Sequence, residues 1–466
     1  MNAMIDFISS LEGIKKIKWN NKTIVTDIAS SEQLDKLKEE VLKSMPTENG
    51  STVENGLEMS AGSASVTYKF RIKYYNEAEC PVKIGDVFYT TINEACAVGG
   101  VIDVVNDSNE AIVVPAGKEV TLNLNGHTLA NDTASVITNN GTLTITGTGK
   151  VDCTGPKMPN VQNNETGVLI VGTGVEITRS NDTVDATVAT TGYLIRNYGQ
   201  CTIEDGVNIH TLNKVTSLVT NGYYDTSNAG HDDKATMTIY GGNFSGGKIN
   251  IKNDELGEMT IYGGNFSNAG NNGDSNIQNW HVLTIEDGTY TGGISNGIYG
   301  KGVGKLIIKN GDFTNADIIT IPNYPSEDIT ITGGTFSKEF ADLGKYLADG
   351  YAATEVDGVM VVSKLTVYEQ IDNIINGLDE KGVDITSDPD NARQYNVTIG
   401  AANIDIVLDE ISAVEGIKKI TIGTEPETST FEYVPGDDLE AFKTNVNTLL
   451  PADNTDPKVV LVMTIE

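Results

Sequence analysis

The chain has 466 residues, 49 of them glycine, and sets 32 basic against 64 acidic side chains for a formal net charge of −32. That length leaves room for about three domains at roughly 150 residues each, and the charge argues against nucleic acid or an anionic bilayer as partner. Hydrophobic residues make up 39% of the chain and recur periodically, which excludes a disordered polymer.

The opening stretch MNAMIDFISSLEGIKKIKW is interrupted by Asp6 and Glu12. It lacks the basic segment and the 7–15-residue apolar run of a secretory signal. No run of 18 apolar residues occurs, so no membrane insertion is expected. The expectation is a chain made in a cytosol that either stays there or leaves by lysis. The first predicted domain, 1–75, contains LEGIKKIKWN (11–20), which returns near the other end as VEGIKKITIG (414–423). A second block, SEQLDKLKEEVLKSMP (31–46), matches GDDLEAFKTNVNTLLP (436–451) with two further residues inserted. The block reads as an amphipathic helix, with Leu34, Leu37, Val41 and Met45 on one stripe. Ser30 and Gln33 form a capping box, and Pro46 ends the helix. Each copy is expected to be a small α+β module closing with a strand (64–73 and 458–466). The second copy lies in a C-terminal domain, 366–466, that begins with an extra helix at about 367–378. Matching ends suggest a shared docking task, to a second copy or to one partner; the alternative is that both cap the segment between them.

That segment, 80–363, is a repeat. MTIYGGNFS (237–245), MTIYGGNFS (259–267), LTIEDGTYT (283–291), LIIKNGDFT (306–314) and ITITGGTFS (329–337) align without gaps. Their isoleucines Ile239, Ile261, Ile285, Ile308 and Ile331 are followed five positions later by Phe244, Phe266, Tyr290, Phe313 and Phe336. LNLNGHT (122–128), LTITGTG (143–149) and CTIEDGV (201–207) are earlier, looser members. Short β-branched strands joined by glycine turns at this period predict a parallel β-helix. Stacking at about 4.8 Å then lines up the Ile and aromatic positions as ladders, and eight or nine coils give a rod roughly 40 Å long. Cys80, Cys96, Cys153 and Cys201 fit no zinc spacing and are too sparse for a disulfide framework, so buried free thiols are expected.

The segments IGDVFYTTINEA (84–95), AGKEVTLNLNGHTLAND (116–132) and NNGTLTITGTGKV (139–151) resemble the opening coils of right-handed β-helix repeats in gut-bacterial surface proteins. Residues 331–362 resemble the end cap of those repeats. The resemblance implies a right-handed, pectin-lyase-like parallel β-helix, so that with the duplicated ends the expected fold is mainly β, that helix flanked by two homologous small α+β modules. It says little about function, because this fold carries adhesins, lyases, hydrolases and phage spikes.

A polygalacturonase-type site needs carboxylates on successive coils. Here RIK (Arg71–Lys73) precedes the repeat and HDD (His231–Asp233) lies far downstream, so the order is wrong. A lyase-type site needs a calcium-binding Asp cluster and a basic residue. Asp225, Asp232 and Asp233 near Lys234 read better as a solvated loop, and Arg179 and Arg196 lack carboxylates at coil spacing. His127, inside NGHT, suits a turn hydrogen bond. No catalytic residue, metal ligand or cofactor is predicted.

A binding surface is better motivated. The residues after the ladder isoleucines, Tyr240, Tyr262, Glu286, Lys309 and Thr332, should point outward. Tyr240 and Tyr262, with Tyr223, Tyr224 and Trp280, are the candidate glycan-binding residues, an outer ladder of stacked rings being the structural alternative. Asn265, Asn268, Asn271, Asn272, Asn276 and Asn279 are expected to be exposed nearby. Taken together, an acidic, non-catalytic rod with matching ends and no secretion signal resembles a head fibre or decoration protein of a crAss-like phage. The resemblance implies a virion protein made in the host cytoplasm, a homo-oligomer (dimer or trimer), contact with capsid or other virion proteins, and contact with host or mucosal glycan. A bacterial glycan-binding adhesin and a tailspike-type polysaccharide lyase or hydrolase are the alternatives.

Overall fold

The computed structural model describes residues 15–20, 22–25, 31–48, 50–61, 63–155, 158–180, 192–211, 217–224, 234–267, 276–297, 304–316, 318–320, 328–379, 384–388, 391–398, 404–424, 430–448 and 458–465. Two compact units divide the chain, Met1–Phe340 and Ala341–Glu466.

The first unit is dominated by a parallel β-solenoid of about eight turns. Each coil contributes one strand to each of three faces, in the order Glu119–Asn123, Thr128–Asn131, Ile137–Asn139, after which Thr142–Thr146 returns to the first face. The isoleucine ladder runs along face one in strict register, Ile203–Ile239–Ile261–Ile285–Ile308–Ile331, every member fully buried. Leu122, Ile145 and Val171 extend it toward the start of the rod. Face two carries the aromatic ladder. Phe244, Phe266, Tyr290, Phe313 and Phe336 stack with successive centroids 4.6, 5.0, 4.7 and 4.9 Å apart. These rings explain the glycine turns. A Cβ on Gly288 (φ +130°) would lie 2.8 Å from the Tyr290 hydroxyl, and one on Gly311 (φ +132°) 2.8 Å from the Phe313 ring, so no side chain fits there.

A third ladder, on face three, is not apparent from the Ile and aromatic spacing. Strands reading ITN, VQN, IRN, VTN, IKN, IQN and ISN turn their Asn inward. Asn139, Asn163, Asn197, Asn221, Asn253, Asn279 and Asn296 form one chain of amides, each Nδ2 donating to the next Oδ1 at 2.7–3.0 Å. A buried amide must find partners. Here each side chain supplies them to its neighbour while also capping backbone carbonyls at the corner into face one.

The solenoid opens with a hairpin, Val82–Ile84 and Val87–Tyr89, and a short helix, Ile92–Val98. Thr91 caps that helix by accepting from the Glu94 N–H at 3.1 Å, and Ile92, Ala95 and Cys96 form its buried face. All four cysteines are free and buried, as expected, and burial pushes the Cys96 and Cys201 thiols up to about 12.

The terminal modules share one topology. In the first unit, Lys16–Trp19, Lys22–Val25, Thr52–Ala61 and Ala64–Lys73 form an antiparallel sheet in the order second, first, third, fourth, with helix Ser31–Lys43 between the second and third strands. In the second unit, Ile417–Thr424, Thr430–Tyr433, helix Leu439–Asn447 and Lys458–Ile465 repeat that order. The registers agree as well: Ile17 faces Met59 and Trp19 faces Leu57, while Ile420 faces Met463 and Ile422 faces Leu461. The counterpart of the closing strand is therefore Thr52–Ala61, and not 64–73 as the sequence alone suggests. Ala64–Lys73 is a hairpin partner; the second unit fills that place with Asn391–Thr398, drawn from upstream. The helices bury equivalent residues, Leu37 and Val41 in one copy, Phe442 and Val446 in the other. Met45 is half-buried, and the side chains of Leu34 and Gln33, with all of Ser30, lie outside the described residues. The extra helix spans Val367–Asp379, and a further helix, Ile404–Ser412, buries Ile404, Val407, Leu408 and Ile411 against the same sheet core.

Candidate ligand-binding site

On face three, alternation sends the central residue of each tripeptide outward. Arg196, Thr220, Lys252 and Gln278 therefore form a column on successive coils. Such a column ordinarily faces water. Here the flanking segments bring Tyr193, Tyr224 and Trp280 over it, so that Lys252 is only 6% exposed and Asp254, two residues on, 2%. The Lys252 ammonium lies 4.8 Å from the Trp280 ring centroid, 5.3 Å from Tyr224 and 5.8 Å from Tyr193. The Arg196 guanidinium lies 5.2 Å from the other aromatic contact of the wall, the Tyr193 ring. Cation–π attraction of this kind favours a desolvated ammonium.

The polar contacts are incomplete. Asp254 accepts from the Thr220 hydroxyl at 2.7 Å. Lys252 Nζ sits 3.4 Å from Asp254 Oδ1 and donates a long bond, also 3.4 Å, to the Tyr193 hydroxyl. Asp254 Oδ1 accepts no hydrogen bond and the buried Trp280 Nε1 donates none. Burial works against the Lys252 charge, but Asp254 and the Tyr193 oxygen outweigh it and hold the ammonium above its ordinary pKa. Burial raises the Asp254 carboxyl, with Lys252 and Thr220 pulling the other way, and burial likewise raises the Tyr193 phenol. The result is a cavity of about 450 Å³ lined by Tyr193, Tyr198, Tyr224, Arg196, Lys252 and Asp254. It offers aromatic walls with a cation, a carboxylate and hydroxyls, the mixture small-molecule sites use to fix orientation.

The five aromatic candidates fall into two groups. Tyr224, 61% exposed, tilts at 54° against Trp280 with centroids 5.4 Å apart, and forms the pocket wall. Tyr223 is buried beneath, stacked on Tyr198 at 4.7 Å, its hydroxyl donating to Glu165. Tyr240 and Tyr262 stand elsewhere. They follow the face-one strands Ala235–Ile239 and Gly257–Ile261, whereas Trp280 precedes Val282–Ile285. A strand of four or five residues, about 15 Å at ~3.3 Å per residue, separates the groups. Both tyrosines point outward as expected, 49% and 48% exposed. Their rings stack at 5.2 Å and 15°, so they turn faces to each other and edges to solvent. The column continues with an ion pair between Lys309 and Glu286 at 2.8 Å. Beside it runs an open groove of about 550 Å³ along the glycine corners, lined by Asp205, Asn243, Asn265, Asp287 and Asp312.

Asn265 is exposed, but Asn276 and Asn279 are not: Asn279 belongs to the amide ladder, and Asn276 donates to the carbonyls of Phe266 and Thr291 at 2.8 and 2.9 Å. Asn268, Asn271, Asn272, Asp225, His231, Asp232 and Asp233 lie outside the described residues. His127 meets Asp107 at 3.2 Å beside its turn. Arg179 is fully buried and donates to the carbonyls of Gly155 and Met158, a bracing role. Among the described residues no three metal-ligating side chains converge, and no helix is long and apolar enough to cross a membrane.

Tyr193, Lys252 and Asp254 are absent from the sequence-based candidates. The signal was present in the [Ile/Val]-x-Asn tripeptides, whose middle residues form the outward column. No protein-family model, curated protein or solved structure matches the chain.

Proposed function

We propose that the protein is a structural rod, a fibre or decoration protein of a virion of the crAss-like phage type, whose solenoid holds host or mucosal glycan in the face-three pocket. The observation that carries the glycan reading is the roofed column: a regular solenoid has no structural need to bury Lys252 and Asp254 beneath Tyr193, Tyr224 and Trp280. The exposed Tyr224 ring beside groups that donate and accept hydrogen bonds suits a sugar, whose rings have apolar faces and hydroxyl edges. Among the described residues, Asp254 is the single carboxylate lining the pocket. Glycoside hydrolysis ordinarily requires two, which favours binding over cleavage. The duplicated modules support the fibre reading, as two copies of one ββαβ unit suit docking to a second chain or to capsid protein. Under this reading the protein is made in host cytoplasm and carried on the particle.

The test is a glycan array probed with the full chain, followed by Tyr224→Ala. Saturable binding that the substitution weakens tenfold or more is expected. An array with no bound glycan overturns the glycan reading.

A further inference from the structure

We propose that the pocket selects a neutral sugar, bridging one of its hydroxyls between Lys252 Nζ and Asp254 Oδ1, and discriminates against carboxylated sugars. The proposal rests on the glycan-binding reading above and specifies its ligand class.

The geometry supplies the argument. Lys252 Nζ and Asp254 Oδ1 are 3.4 Å apart, too far for a strong charge-assisted bond, which runs about 2.7–2.9 Å. The ammonium has three protons, and its polar contacts among the described residues are both at 3.4 Å. The carboxylate oxygen beside it accepts nothing. Two under-satisfied, opposite polar groups thus face one cavity. A hydroxyl oxygen about 2.8 Å from both atoms would close a triangle on the 3.4 Å base; because Asp254 Oδ1 is buried, the sugar must displace part of the aromatic roof to reach it. It would accept from Lys252 and donate to Asp254, which a hydroxyl can do at once and a carboxylate cannot. The Thr220 hydroxyl fixes the other Asp254 oxygen at 2.7 Å, leaving Oδ1 free to receive. The exposed Tyr224 ring beside the ammonium offers apolar surface to the C–H face of the same sugar.

An acidic sugar meets two obstacles. Its carboxylate would approach a carboxylate that is 2% exposed, where like charges repel most strongly. The chain's net charge of −32 also opposes approach of a polyanion.

The experiment measures dissociation constants of neutral, uronate-containing and sialylated oligosaccharides for the full chain and for Asp254→Asn. Thr220 can still donate to the Asn carbonyl oxygen, so the pocket's frame is retained. The expected result is preference for a neutral glycan and a loss of about 10- to 100-fold in Asp254→Asn, the scale of a lost hydrogen bond to a charged group. A deoxy analogue lacking the bridging hydroxyl should lose a similar factor on the wild-type chain, which keeps the test independent of the variant's folding. Tighter binding of an acidic glycan, strengthened by Asp254→Asn, would overturn the selectivity while leaving the glycan reading intact. Absence of binding by every class would overturn both.

Discussion

Replacing Asn197 by alanine should destabilise the solenoid far more than the same change at the end of the amide ladder. Asn197 Nδ2 donates to Asn221 Oδ1 at 2.7 Å, to Thr236 O at 3.0 Å and to Gly199 O at 3.1 Å. Its Oδ1 accepts from Asn163 Nδ2 at 2.7 Å and from the Gly199 N–H at 3.2 Å. After truncation Asn163 keeps its bonds to Gly167 and Gln200, whereas Asn221 Oδ1 and the Gly199 N–H lose the partners described here. Two orphaned buried groups at about 1–3 kcal/mol each give a loss of roughly 2–6 kcal/mol. Asn296 is different. Its Nδ2 serves Gly304 O, and removing it leaves Asn279 still bonded to Lys305 O at 3.0 Å, so Asn296→Ala should cost about 1 kcal/mol. Urea unfolding of both variants, with amide exchange read at Gly199, measures the difference. Equal losses, or a loss below about 1 kcal/mol at Asn197, would refute the view that the amide chain braces the corner.

Tyr240→Ala combined with Tyr262→Ala should leave glycan affinity unchanged and cost about 0.5–1.5 kcal/mol in urea unfolding, because those rings stack on each other; a matching loss of sugar binding would move the site to that column. A thiol reagent at pH 8 should find none of the four cysteines reactive in the native chain and all four after denaturation, since all are buried and the Cys96 and Cys201 thiols are pushed up to about 12. Burial raises Asp254's carboxyl, and a hydroxyl donating to it favours the ionised form. Neutral-sugar affinity should therefore be full at neutral pH and fall on acidification through that raised pKa; a rise would contradict the bridging geometry. Light scattering should give a dimer or trimer for the full chain and a smaller species for a chain ending at Ser363. A monomer in both cases would remove self-association through the C-terminal module.

The isoleucine and aromatic ladders were legible because each lies a fixed distance from a glycine turn. Five residues separate Ile239 from Phe244 and Ile331 from Phe336, and a Cβ on Gly242 or Gly334 would lie 2.7 or 2.9 Å from a carbonyl oxygen of the preceding coil. The amide ladder obeys no fixed spacing from that motif. The link from face two to face three varies from Ser267–Ile277 to Thr291–Ile294, so a period measured from the isoleucines slides past Asn253, Asn279 and Asn296. Taken singly, asparagines read as turn residues; only the shared [Ile/Val]-x-Asn frame shows that they face inward. The terminal duplication was legible in its charged EGIKK run, but GLEM (56–59) and VLVM (460–463) share little beyond Leu and Met. The strand match therefore emerges from register.

That frame also explains how a site can arise on so regular a scaffold. Each face-three strand commits its first and third residues to the interior: Ile195 and Asn197, Val219 and Asn221, Ile251 and Asn253 are all buried. Only the middle residue is released, and it is there that Arg196, Thr220 and Lys252 align. Chemistry can change at the middle position without disturbing either ladder, while the roof comes from segments just beyond the strands, where Tyr193, Tyr224 and Trp280 sit. Alternate residues of one strand thus divide the work, inward ones for cohesion and outward ones for recognition. Substitutions in the two sets should separate accordingly: Asn197→Ala should alter unfolding along the rod, whereas Tyr224→Ala should alter what the rod holds and leave unfolding nearly unchanged.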